Sequence, residues 1–169
     1  HWGDKIIVRH RYVDIFGDSW TKVPGRWGSS DGFEKYSEHV VESAAPFPDS
    51  VVHPDAWLNV RPRSSAQAHL FLRAVGLVAG TGAINVMALR IRQAFFCEAQ
   101  DVSDLQVLQA LGAEQGLDID AISQTLINGS AMAALSSDSR NASDIGVKGS
   151  PTWVLNGGRQ SLYGNVGYR

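Results

Sequence analysis

The run GVKGSPTWVLNGG, from Gly146 to Gly158, orders its residues in the way most suggestive of chemistry. Gly146 and Gly149 break a helical pattern, Pro151 opens a strand-like segment from Thr152 to Leu155, and Asn156-Gly157-Gly158 has the composition of a hairpin turn. A strand that begins on proline is unusual, because proline brings no N–H to a ladder. An X-Pro bond is also the one peptide linkage that reaches the cis form at modest cost. Ser150-Pro151 is therefore the first candidate site.

The remaining reactive residue types are sparse. Cys97 is the single cysteine, so no intrachain disulfide, Cys-x-x-Cys pair or zinc or iron–sulfur spacing can be drawn. Cys97 falls in a helical pattern apolar on two sides, which reads as packing. His39, His53 and His69 have no i,i+4 partner or carboxylate spacing that makes a metal site, so none is expected and the histidines read as loop or helix-surface residues. Gly80-Thr81-Gly82 lacks the preceding strand and third glycine of a dinucleotide loop and reads as a helix stop. The sequons at Asn128 and Asn141 carry little weight without an export signal. Asp14, Asp18, Trp20 and Trp27 suit the rim of a substrate groove or the packing of a long loop equally well.

At 169 residues, 44% apolar, with 15 basic and 17 acidic residues and a net charge of -2, the chain suits one domain, or one domain with an insertion, that buries a core. Its arginines are scattered, which excludes the basic footprint of a nucleic-acid binder. No uninterrupted run of 18 apolar residues and no charged-then-apolar leader is present, so neither a membrane span nor export is expected. The lone thiol suits a reducing compartment, and the expected location is cytoplasmic.

Lys5 to Tyr12 alternates and is β-branched, predicting a strand; Gly17 to Ser30 predicts loop, and Asp31 to Ala44 a helix. Three prolines make Ala45 to Arg61 irregular, with a short helical turn within His53 to Leu58. Ser64 to Val78 predicts a helix started by a Ser64/Gln67 capping box and closed by Gly80 and Gly82. Ala83 to Gln100 follows, with one stripe of Ile84, Met87, Ala88, Ile91 and Phe95 and another of Val86, Leu89, Phe96 and Cys97, as for a helix sandwiched between neighbours. A Ser103/Gln106 capping box, then Asp118 or Asp120, start two further helices, and Ser130 to Ile145 makes the last before the proline. Strands at both ends with a helical middle give an α/β domain interrupted by an insertion: 1–16, then 17–129 as loop and helical insertion, then 130–169.

The layout of helix, Gly-Val-x-Gly-x-Pro, strand, Asn-Gly turn and second strand resembles the cis-proline corner of thioredoxin-like folds. More narrowly it is similar to the DsbA-like family, whose relatives include 2-hydroxychromene-2-carboxylate isomerases and kappa-class glutathione transferases. Arg61-Pro62-Arg63-Ser64-Ser65 leading into Ala68-His69, the run Arg92 to Phe96 followed by Asp101 to Asp104, and Ala113 to Asp118 also resemble that family, and with the corner they span roughly Ser64 to Gly158.

The resemblance implies a thioredoxin-like α/β fold with a helical insertion, incomplete at both ends, and a thiol–disulfide oxidoreductase acting on protein or small-thiol disulfides. Ser150 and Pro151 would bind substrate, the backbone of the residue before the proline pairing with extended peptide. The catalytic Cys-x-x-Cys would lie upstream of His1, which leaves no catalytic residue within the chain, and the first strand would lie upstream as well or come from another chain. Without that strand the sheet would have a one-strand gap between Lys5 to Tyr12 and Thr152 to Leu155. Two alternatives stand beside this reading: a glutathione-dependent isomerase or transferase, with glutathione as co-substrate and no resident cofactor, and a non-catalytic thioredoxin-like binding module.

Overall fold

A computed structural model describes residues 7–164. The helices are α1 (Ser19–Trp27), α2 (Gly32–Ala44), α3 (Ala66–Phe96), α4 (Leu105–Glu114), α5 (Ile119–Ile127) and α6 (Ser130–Asp144), with a π-helical turn at Ala56–Val60 between α2 and α3. Strands β1 (Thr152–Leu155) and β2 (Gln160–Tyr163) close the described chain as an antiparallel hairpin in which Thr152 faces Tyr163 and Leu155 faces Gln160. The hairpin and the α2 and α6 helices fall where the sequence places them.

The core is built on α3, which packs against α4, α5 and α6. Phe71 and Met87 from α3, Leu108 and Leu111 from α4 and Ile122 from α5 are almost wholly removed from water. Removing such apolar surface from solvent stabilises by about 25 cal/mol per Å². The predicted stripe of Ile84, Met87, Ala88, Ile91 and Phe95 is buried throughout. The second stripe is not: Val86 and Leu89 are each 55% exposed and Cys97 is exposed, so this face is open among the described residues.

Gly80 breaks α3 at φ 81 and ψ -178, a conformation that only glycine adopts readily. The chain then turns so that Ile84 lies against Gly76, where a side-chain carbon would come within 2.5 Å of the Ile84 Cδ1. The two predicted helices thus exist as the arms of one kinked element. By length and apolar composition alone α3 is long and apolar enough to cross a membrane, although polar residues interrupt its apolar run. In the fold it is the helix around which α4, α5 and α6 assemble.

Three local expectations are corrected. Residues 7–12 form no strand, and Lys5 and Ile6 lie outside the described residues. Alternation gives a strand only where a neighbour completes the ladder, and here the Tyr12 N–H donates to an Asp138 carboxylate oxygen of α6 at 3.3 Å. The predicted loop at Gly17 to Ser30 contains α1, because Asp18 caps it, accepting from the Trp20 N–H at 3.1 Å and the Thr21 hydroxyl at 2.7 Å. Pro24 removes one helical hydrogen bond; the buried Val23 and the Gly28 N–H donated to the Pro24 carbonyl offset that loss. Neither predicted capping box forms: the Ser64 hydroxyl accepts from the Ala66 N–H, and Asp104 rather than Ser103 caps α4. Asp118 caps α5 as one of the two expected alternatives.

Candidate functional site: the proline corner

The corner begins where α6 ends. Gly146, at φ 70, turns the chain away from the helix, with its N–H donated to the Ser143 carbonyl and that of Val147 to Ala142. Ser150 and Pro151 are joined by a cis peptide bond. The Pro151 carbonyl accepts from the Gly164 N–H at 2.9 Å, and the Gly149 carbonyl accepts from the Thr152 hydroxyl at 2.6 Å. Gly149 is buried under the Tyr163 ring, which a side-chain carbon would approach to 2.9 Å. The corner is thus fastened to the end of β2 from both sides of the cis bond.

Ser150 itself is exposed, and among the described residues its backbone N–H and C=O have no protein partner. A donor and an acceptor stand free immediately before β1. Backbone groups in that position are suited to receive an extended segment as an added strand. On the hairpin, Trp153 is 54% and Leu162 48% exposed, so its apolar side chains have no cover among the described residues.

The other sequence candidates lie apart from one another. The Cys97 thiol is exposed and lies 3.5 Å from the Val51 carbonyl, so the expected packing role is corrected: it sits at the C-terminal end of α3, past the last buried residue, Phe95. His39 stacks on Trp27 at 4.8 Å between ring centroids, and His53 sits 3.8 Å from Asp55. Among the described residues no three potential metal ligands cluster. Trp20 donates its indole N–H to the Arg61 carbonyl at 2.9 Å and, with Phe33, Asp31 and Arg61, borders a cavity of about 230 Å³. Asp18 serves as the α1 cap, and Trp27 packs on Tyr36; neither borders that cavity.

Sequence reasoning missed a buried polar cluster where residues 11–12 meet α3 and α6. Asp138 is 1% exposed, with the Arg11 Nε at 3.4 Å and the Arg73 Nε at 3.5 Å. Tyr12 stacks on His69 at 5.2 Å, and this half-buried packing replaces the surface role expected for His69. Burial dominates the titration of all three ionisable partners. It raises the Asp138 carboxyl despite Arg73 and Arg11, pushes the Tyr12 hydroxyl up to about 12, and lowers His69 against an opposing pull from Asp14. One available signal was an aspartate on the α6 face that also carries the buried Ala131 and Ala142, a position where a carboxylate needs partners.

A two-stranded hairpin entered through a cis proline, with a helical insertion packed before it, defines a thioredoxin-like domain of the DsbA type. The DSBA-like thioredoxin domain family matches residues 4–168, and the chain belongs to that family. Among solved structures it is similar to the cytosolic disulfide reductase DsbM from Pseudomonas aeruginosa, with 23% identity, a TM-score of 0.59, and coverage of 76% of this chain and 68% of that one. No protein in the curated comparison matches significantly.

Proposed function

We propose that the protein is a thiol–disulfide oxidoreductase whose substrate main chain pairs with Ser150 ahead of β1. The observation that supports the reading is that Ser150 is exposed and that neither its N–H nor its C=O is taken by a protein partner among the described residues. In such a complex a substrate strand donates to the Ser150 carbonyl and accepts from its N–H, which holds the substrate disulfide in place for attack by a thiolate. Cys97 is not that thiolate, since it lies at the end of α3 and nothing places it beside the corner. With a single cysteine among the 169 residues, the attacking Cys-x-x-Cys of this reading is supplied from outside them, and a strand pairing with β1, from the same or another chain, would cover the exposed apolar side chains of the hairpin.

Family membership supports oxidoreductase chemistry as the class, and the likeness to a cytosolic disulfide reductase of Pseudomonas aeruginosa supports a reducing role in the cytosol. Reduction of insulin disulfides by the protein expressed from its complete reading frame tests this. Ser150→Ala, which keeps the backbone groups, is expected to retain the rate within about twofold. Ser150→Pro removes the N–H and is expected to lose at least tenfold, about 1.4 kcal/mol. Full activity in a folded Ser150→Pro protein would sink the pairing role.

In a second reading, glutathione supplies the thiol and its cysteinyl main chain occupies Ser150 for an isomerase or transferase reaction. Retention on immobilised glutathione without insulin reduction would select it. Neither activity nor glutathione binding would leave a non-catalytic binding module.

A further inference from the structure

We infer that the groove between α2 and the π-helical turn is a docking site for a cationic amphipathic helix of a protein partner. The groove has a volume of about 460 Å³, and Val41, Pro54 and Leu58 supply apolar surface to it. The Ser37 hydroxyl, 94% buried with its residue, donates to the Pro54 carbonyl at 2.8 Å and ties one wall to the other, so the groove is held in shape before anything enters it. Glu34, Glu38 and Glu42 line the α2 wall at successive i,i+4 positions.

These three carboxylates are exposed, and among the described residues none lies within ion-pairing distance of a cation. The neighbouring Lys35 is already committed to Asp31 at 2.8 Å. Like charges at i,i+4 work against their own helix. Glu42 is further disfavoured because it lies near the C-terminal end of α2, where the helix dipole repels an anion and no basic residue occupies the last turn. A row of uncompensated carboxylates beside apolar side chains is complementary to a ligand with the opposite arrangement. Charge of this sign turns away nucleic acid and anionic lipid, and steers basic peptide toward the groove. The glutamates recur about every 6 Å along α2, the rise of four helical residues. A partner helix laid along the groove with Lys or Arg at i and i+4 and leucine-like residues between them meets them in register and places its apolar stripe on Val41 and Leu58.

The probe is a short fluorescein-labelled peptide of lysines and leucines in that helical pattern, titrated with the full chain and followed by anisotropy. Binding is expected to weaken as ionic strength rises from about 0.05 to about 0.3 M. It is expected to weaken at least tenfold in Glu38→Lys, a change that relieves repulsion on α2 and so does not threaten folding. Asp144→Lys, an equal charge change on α6, is expected to leave it within about twofold. Equal affinity of Glu38→Lys and the parent chain, equal binding of the peptide with glutamates for lysines, or loss of a pre-existing dimer in Glu38→Lys would each overturn the assignment, the last by giving the groove to a second copy.

Discussion

Asp138 on α6 and Arg73 on α3 meet with the guanidinium Nε 3.5 Å from a carboxylate oxygen, and the same oxygen accepts the Tyr12 N–H. Residues 11 and 12 are thereby fastened to Asp138 of α6 and, through it, to Arg73 of α3, both more than sixty positions later in the chain. The carboxyl is nevertheless raised above its ordinary range, burial outweighing both arginines. A carboxyl raised in the folded state makes a contribution present below the unfolded pKa and lost as pH increases through the folded one. Relative to Asp138→Asn, the parent protein should therefore lose stability as pH climbs from about 4 towards neutrality. Urea unfolding of the pair at several pH values checks this, and a difference that widens in the parent's favour with pH would contradict it. Asp138→Ala, which strips the partner from Arg73 and from the Tyr12 N–H, should cost about 1–3 kcal/mol at neutral pH.

His69 gives the opposite slope from the same cluster. Burial lowers its folded pKa, so its contribution is present above the unfolded value of about 6.5 and is lost as pH falls through the folded value. His69→Phe keeps a ring to stack on Tyr12 and removes the proton acceptor. The parent's unfolding midpoint should drop below pH 6.5 more steeply than that of His69→Phe, and parallel midpoints across that range would remove His69 from the account.

How far these features were legible differs by the range of the interaction that makes them. The hairpin was readable to the residue because Pro151 and Asn156-Gly157-Gly158 fix its ends locally, and α6 was readable because Gly146 ends it. Residues 7–12 carry a strand pattern, but a strand is a property of two segments, and among the described residues no partner segment is present. The α1 helix was hidden because Pro24 and Gly25 argue against a helix, whereas the Asp18 cap and the burial of Val23 decide for one. The Ser150-Pro151 corner followed from residue order, while the Asp138 cluster joins positions 126 apart, a pairing that no local spacing encodes.

The two glycines at the α3 bend separate conformation from space. Neither has an atom within 4 Å of where a side-chain carbon would sit, but Gly80 alone has positive φ. Gly80→Ala should cost about 1–3 kcal/mol through backbone strain. Gly82→Ala should be neutral or stabilise by about 0.5–1 kcal/mol, because alanine restricts the unfolded chain and favours helix. Thermal unfolding of both variants distinguishes them, and equal effects would mean that the bend does not depend on the Gly80 conformation.

Gly112 poses the converse case, in which space rather than conformation decides. A side-chain carbon there would lie 2.8 Å from Ile119 Cδ1 and 3.1 Å from Cζ of Phe71, which is fully buried on α3. Ile119 begins α5, so the glycine lets α4 approach α3 and α5 together. Gly112→Ala gains helix propensity of about 1 kcal/mol but must displace Phe71 or Ile119, and overpacking of this kind costs about 1–3 kcal/mol. The expected result is net destabilisation in urea, relieved when Ile119→Val is added because the shorter side chain no longer carries the Cδ1 that blocks the new methyl. A double-mutant cycle in which the two changes simply add would place the strain elsewhere than in that contact.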